Sequence, residues 1–140
     1  MKPEVQSQSF PVIILIILLV ILGLGGLGGG IAMLIDPSGQ MMGLPTDMLD
    51  GLPITNFILP GLFLILIMGI MPIANGIALW KSLPGAWIAS LSLGILLVLW
   101  IFLQIYLWGD PVAIQYIYLV WGLLIAGLSL LPQVRKRSSS

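Results

Sequence analysis

The chain has 140 residues, 59% of them hydrophobic and 7% charged, with a formal net charge of zero. Soluble domains carry about a quarter charged residues, so lipid is the solvent for most of this chain. It contains no Cys and no His, which excludes disulfides, thiol chemistry and imidazole or thiolate ligation of zinc or haem, and leaves any Ser without the usual base.

No basic patch interleaved with aromatics is present, so nucleic acid is not an expected partner. The absence of Cys is compatible with either side of a membrane. Residues 1–9, MKPEVQSQS, read as an unstructured cytoplasmic lead.

From Phe10 to Ile35 no residue is charged. At 1.5 Å per residue this run crosses a hydrocarbon core of about 30 Å with some tilt. It is too long for the apolar region of a signal peptide, and no A-x-A-like site follows it, so a retained transmembrane helix is predicted over 10–35. Its second half, GLGGLGGGIA, pairs Gly25 with Gly29 and Gly26 with Gly30 at G-x-x-x-G spacing. Such faces let another backbone approach closely, either a subunit or a helix of the same bundle.

An outer loop is predicted over 36–55. Asp36-Pro37-Ser38-Gly39 has turn chemistry, and Thr46 suits the cap of a short turn, TDMLD, with Asp47 near its N-terminus. Met48, Leu49 and Leu52 would then lie on the membrane surface or over the mouth of the bundle.

The second span is predicted over 56–80. Asn56 stands at its boundary and Pro60 in its first turns, while Pro72 is internal and should kink it. Gly69, Pro72 and Gly76 share one face. Lys81 to Gly85 form a tight connection to the third span, 86–108, where Ala86, Ser90 and Gly94 make a small-x-x-x-small packing stripe. Gly109-Asp110-Pro111 can only be a turn, so the fourth span, 112–131, returns antiparallel to the third. Residues 132–140 form a basic tail containing Arg135, Lys136 and Arg137.

With four spans, all five Lys and Arg fall on one side, and Asp36, Asp47, Asp50 and Asp110 on the other. The positive-inside rule then places both termini in the cytoplasm. The expected fold is an all-α membrane protein, a bundle of four transmembrane helices, up-down-up-down. Trp80, Trp87 and Trp108 are placed as interfacial anchors, and Trp100 and Trp121 lie deeper, in packing positions.

Every ionisable side chain falls at a membrane surface, which argues against a proton relay or voltage sensor. Gln104 shares a face with Ala86 and Ser90, and Gln115 one with Gly122, Ala126 and Ser129, at similar depth on adjacent helices. The two amides either bond each other or floor an outward-opening pocket with Tyr106, Tyr116, Tyr118 and the outer loop around it. Asn75 is placed either to satisfy carbonyls freed by Pro72 or to bind a ligand. The outer aspartates match no EF-hand spacing, and no metal site is assigned.

The stretch LPGLFLILIMGIMPIANGIALWKSLPGAWIASLSLGILLVLW resembles the middle of small uncharacterised bacterial four-helix membrane proteins, remotely the DoxX-like group. The resemblance lies in its glycine rhythm at Gly61, Gly69, Gly76, Gly85 and Gly94, over the second and third spans. It implies the four-helix architecture and a bacterial inner membrane. The chain departs from that group in lacking a basic residue near its first span and an acidic residue in its second, so no catalytic residue is carried over.

The expected function is that of a non-enzymatic accessory or interaction subunit with no cofactor, whose partners are the lipid bilayer and a second copy or another membrane protein. Two alternatives stand beside it. One is a binder or carrier of a small lipophile, a lipid or quinone, at Gln104 and Gln115. The other, implied by the resemblance, is a membrane subunit of a quinone-linked redox complex.

Overall fold

A computed structural model describes residues 10–40, 51, 53, 55–108 and 113–137. The N-terminal lead, Thr46, Asp47, Met48, Leu49, Asp50, Leu52, the turn at 109–111 and the side chain of Trp108 lie outside the described residues. Those described are helical or turn, with no strand.

Helix α1 covers Phe10–Ile35. The second long helix has three parts: α2, Ile58–Ile65, a π-helical turn, Leu66–Ile70, and α3, Met71–Trp80. Then come α4, Ala86–Trp108, α5, Ala113–Ser129, and a short α6, Pro132–Arg137. Phe10–Ile35, Ile58–Trp80 and Ala86–Leu107 are long and apolar enough to cross a membrane, and Ala113–Ser129 is a shorter apolar helix. The chain is a helical, multi-pass membrane protein.

Pro72 explains the π turn. A proline at this position offers no N–H to Met68 four residues back, and its ring crowds that carbonyl. The backbone widens just before it, and the Met71 N–H bonds the Leu66 carbonyl five residues back. Such insertions relieve a proline inside a helix.

The chain divides into two compact units, one of Met1–Val20 with Ala74–Ser140 and one of Ile21–Ile73. In the second unit, the later part of α1 runs antiparallel to α2 and the π turn. Gly61 and Gly30 face each other, and a methyl on Gly30 would stand 2.6 Å from the Gly61 carbonyl oxygen. The loop ends in the same unit are tied: the Phe57 N–H donates to the Pro37 carbonyl at 2.9 Å, and Phe57 is buried. The turn at Asp36 is closed by the Gly39 N–H on the Asp36 carbonyl and by the Ser38 hydroxyl on the Asp36 carboxylate at 2.6 Å. Asn56 accepts from the Ile58 N–H at 3.0 Å, which sets the start of α2.

In the first unit, α4 and α5 pack antiparallel through Gly94 and Gly122. A methyl on Gly94 would lie 2.8 Å from the Gly122 carbonyl oxygen, and one on Gly122 would lie 3.0 Å from that of Gly94. The start of α1 packs here too, with Val20 and Ile16 against Gly76. The outward side chains are apolar, among them Ile95, Leu99, Phe102, Ile117, Val120 and Leu123, while Asn75, Ser90 and Ser129 are buried. This inside-out polarity is what a lipid solvent selects.

Two ends differ from the sequence-based spans. The fourth apolar helix stops at Ser129 rather than 131, because Pro132 cannot donate to Leu128; the Leu131 N–H takes that carbonyl instead, at 3.1 Å. The beginning of the basic tail is helical, and Val134 in α6 is fully buried.

Candidate functional site

Three polar contacts lie among the apolar helices of the first unit. At the first, α3 presents Asn75 to the opening turn of α4. Its amide nitrogen donates to the Ala86 carbonyl at 3.1 Å and to the Ser90 hydroxyl at 2.5 Å, while that hydroxyl donates to the Ala86 carbonyl at 2.9 Å. The Ala86 carbonyl can only accept, so the atom facing it must be the amide nitrogen. Asn75 and Ser90 are buried. Asn75 thus reaches forward to α4.

At the second, the Gln115 amide donates to the Gln104 amide oxygen at 3.1 Å, part-buried between α5 and α4. The sequence placed these two at one depth on facing helices, and they bond directly. Tyr106 is 85% exposed and Tyr116 54% exposed, while Tyr118 is half-buried. At the third, the Trp121 indole donates to the Leu18 carbonyl at 3.0 Å, fastening α5 to the start of α1. Sequence reasoning treated Trp121 as packing, and the N–H that it carries was the available signal.

The glycines of α1 divide between two faces. Gly26 and Gly30 are buried, whereas Gly25 is exposed and Gly29 half-buried. Gly26 lies directly against the Met68 carbonyl group, and Gly23, one turn earlier, against Gly69 and Ile73. A methyl on Gly28 would meet nothing within 4 Å. At 100° per residue, Gly25, Gly28 and Gly29 centre about 140° away from Gly23, Gly26 and Gly30. Sequence reasoning passed over Gly23, whose spacing of seven from Gly30 was the signal, and Gly28. On α4, Ala86, Ser90 and Gly94 are all buried.

At the far end of the first unit, the Arg135 guanidinium sits over the Trp87 ring, 5.1 Å from its centroid. Sequence reasoning named both residues without pairing them. No group of three or more acidic side chains able to hold a metal occurs among the described residues, and the Asp36 carboxylate is engaged by the Ser38 hydroxyl.

No protein-family model matches the chain, no curated protein matches it, and no solved structure matches it.

Proposed function

We propose that this is a non-enzymatic membrane protein of four spans, with both termini in the cytoplasm, that serves as an accessory or interaction subunit of a membrane assembly. The observation that carries the reading is the use of its interior polar groups. Asn75, Ser90, Gln104, Gln115 and Trp121 are hydrogen-bonded to the chain's own helices, which supports helix-to-helix fastening as their work.

The outward glycines of α1, Gly25 and Gly28 with half-buried Gly29, are the surface on which a second membrane helix would approach most closely. The composition of the described spans supports the same reading, because none of them carries an Asp, Glu, Lys, Arg, His or Cys.

The test is assembly in the native membrane. Gly25→Leu with Gly29→Leu should leave insertion unchanged and remove the larger species seen by chemical crosslinking and native mass spectrometry. Unchanged assembly would overturn the assignment of that face. A mass a few hundred daltons above that of the chain, lost in Gln104→Leu with Gln115→Leu, would instead favour the lipophile-binding alternative.

A further inference from the structure

In the second unit, every fourth residue of the second long helix meets α1. Gly61 lies against Met33 and Gly30, Ile65 against Gly30, Gly69 against Leu27, and Ile73 against Gly23. Four residues turn an α-helix about 40° past a full circle, so in an uninterrupted helix three such steps would carry Ile73 about 120° off the face of Gly61. The extra residue taken up by the π turn, Leu66–Ile70, removes about 100° of that drift. The seam on α1 is continuous only while the π turn exists.

The turn also costs a backbone hydrogen bond. The Met71 N–H is bonded to the Leu66 carbonyl and Pro72 has no N–H, so the Ile67 carbonyl receives neither the amide four residues on nor the one five residues on. In a regular α-helix Met71 would donate to Ile67, and only the Met68 carbonyl, opposite Pro72, would go without. An unsatisfied carbonyl in mid-span is expensive in lipid. Two things oppose recovery of that bond: the Pro72 ring, which crowds the Met68 carbonyl of a regular helix, and the close glycine contacts of the seam.

We propose that the π turn is a swivel, by which α2 exchanges between this seam and a second register in which the turn closes to α-helix and α2 is rotated by about 100° against α1. Seven, eleven and fourteen residues before Ile73 stand Leu66, Leu62 and Leu59, all within about 40° of its direction on a regular helix. The second register brings these leucines onto α1 and turns Gly61 and Ile65 outward. In the described register the three are 52%, 40% and 61% exposed. Gly23, Gly26 and Gly30 give α1 a groove free of side chains, into which leucines can pack. The latch is the Phe57 N–H on the Pro37 carbonyl at 2.9 Å, which holds the start of α2 to the end of α1. The exchange swaps the face that α2 offers outward, a leucine stripe for a glycine one, and packed helices make such a change between discrete arrangements.

The test uses the full chain, which has no cysteine of its own, in phosphatidylcholine vesicles. A trifluoromethyl label on Leu62→Cys is followed by fluorine NMR with saturation transfer, with and without a nitroxide carried on the lipid acyl chain. Two exchanging signals are expected, a major one that the nitroxide quenches and a protected minor one of about 1–10%. The same label on Ile65→Cys should show the reverse, protected in the major signal and quenched in the minor. Pro72→Ala removes the ring that opposes the regular helix and should raise the minor-to-major ratio about tenfold or more. A Leu62→Cys signal wholly quenched in the parent background, a minor signal with the same quenching at both positions, or a ratio unmoved by Pro72→Ala would each overturn the proposal. Should Pro72→Ala not fold, deletion of Ile67 takes its place. It removes the extra residue and keeps the seam in register, so the minor signal should vanish, and its persistence would contradict the swivel.

Discussion

Gly26 and Gly28 are two residues apart on one helix and should respond oppositely to the same substitution. A methyl at Gly26 would overlap the Met68 carbonyl group, and because backbone must move, Gly26→Ala should cost about 1–3 kcal/mol or more. Gly28 has nothing within 4 Å, so Gly28→Ala should be neutral or stabilising, by up to about 1 kcal/mol from helix propensity. Unfolding titrations of the two variants in mixed micelles measure the contrast, and equal effects would contradict the two-face description of α1. The Met68 carbonyl is the one Pro72 deprives of a donor, and Gly26 lets a Cα–H approach it closely, a weak compensation.

Ser82 is a second residue with a definite expectation. It holds φ at +57° at the end of α3, where the Leu83 N–H bonds the Ala78 carbonyl and the Ser82 N–H bonds that of Leu79. This is the Schellman arrangement, whose left-handed position is normally glycine. Ser82→Gly should therefore stabilise the chain by roughly 0.5–1 kcal/mol in the same titration. A loss of stability would mean that the Ser82 side chain has a role beyond the turn.

Between elements, the buried polar contacts are the measurable fasteners. A double-mutant cycle on Asn75→Ala and Ser90→Ala should give a coupling of about 0.6 kcal/mol, the average found for interhelical hydrogen bonds in membranes, and no more than about 1.7 kcal/mol. Gln104→Leu and Gln115→Leu should be less harmful together than the sum of the two alone, because the pair leaves no amide stranded. Additive losses would show that the two amides have separate partners.

These contacts were legible to different degrees. The apolar run at 10–35 and the glutamines at 104 and 115 could be placed by length and helical phase, because both depend on position along one helix. Which glycines of GLGGLGGG face inward depends on where the second helix lies, and that is set by Gly61 and Gly69 some 30 to 40 residues away in sequence. The π turn was legible only as a kink at Pro72, since proline dictates that a carbonyl must be freed but not how the backbone absorbs it. The pairing of Arg135 with Trp87 needed α6 to be folded back by Pro132 and Val134, neither of which has a periodic signature.

For the whole molecule, the distribution of charge makes a claim about orientation. With no cysteine in the chain, single thiols introduced by Ser38→Cys and Ser82→Cys report their sides cleanly. A membrane-impermeant maleimide added to intact cells should label the first and not the second. Labelling of both, or the reverse pattern, would contradict cytoplasmic placement of the Lys81 connection.

The claim that matters most is that α1 keeps an outward glycine face for another membrane protein, and Gly28→Cys tests it most directly. Copper-phenanthroline oxidation in native membranes should trap a disulfide-linked copy, and a short bifunctional thiol-to-amine crosslinker should capture any partner lacking cysteine. The same treatment of Leu123→Cys, on an exposed apolar position of α5, should trap little. If Gly28→Cys crosslinks no more than Leu123→Cys, that face meets only lipid and the proposed role as an interaction subunit is contradicted.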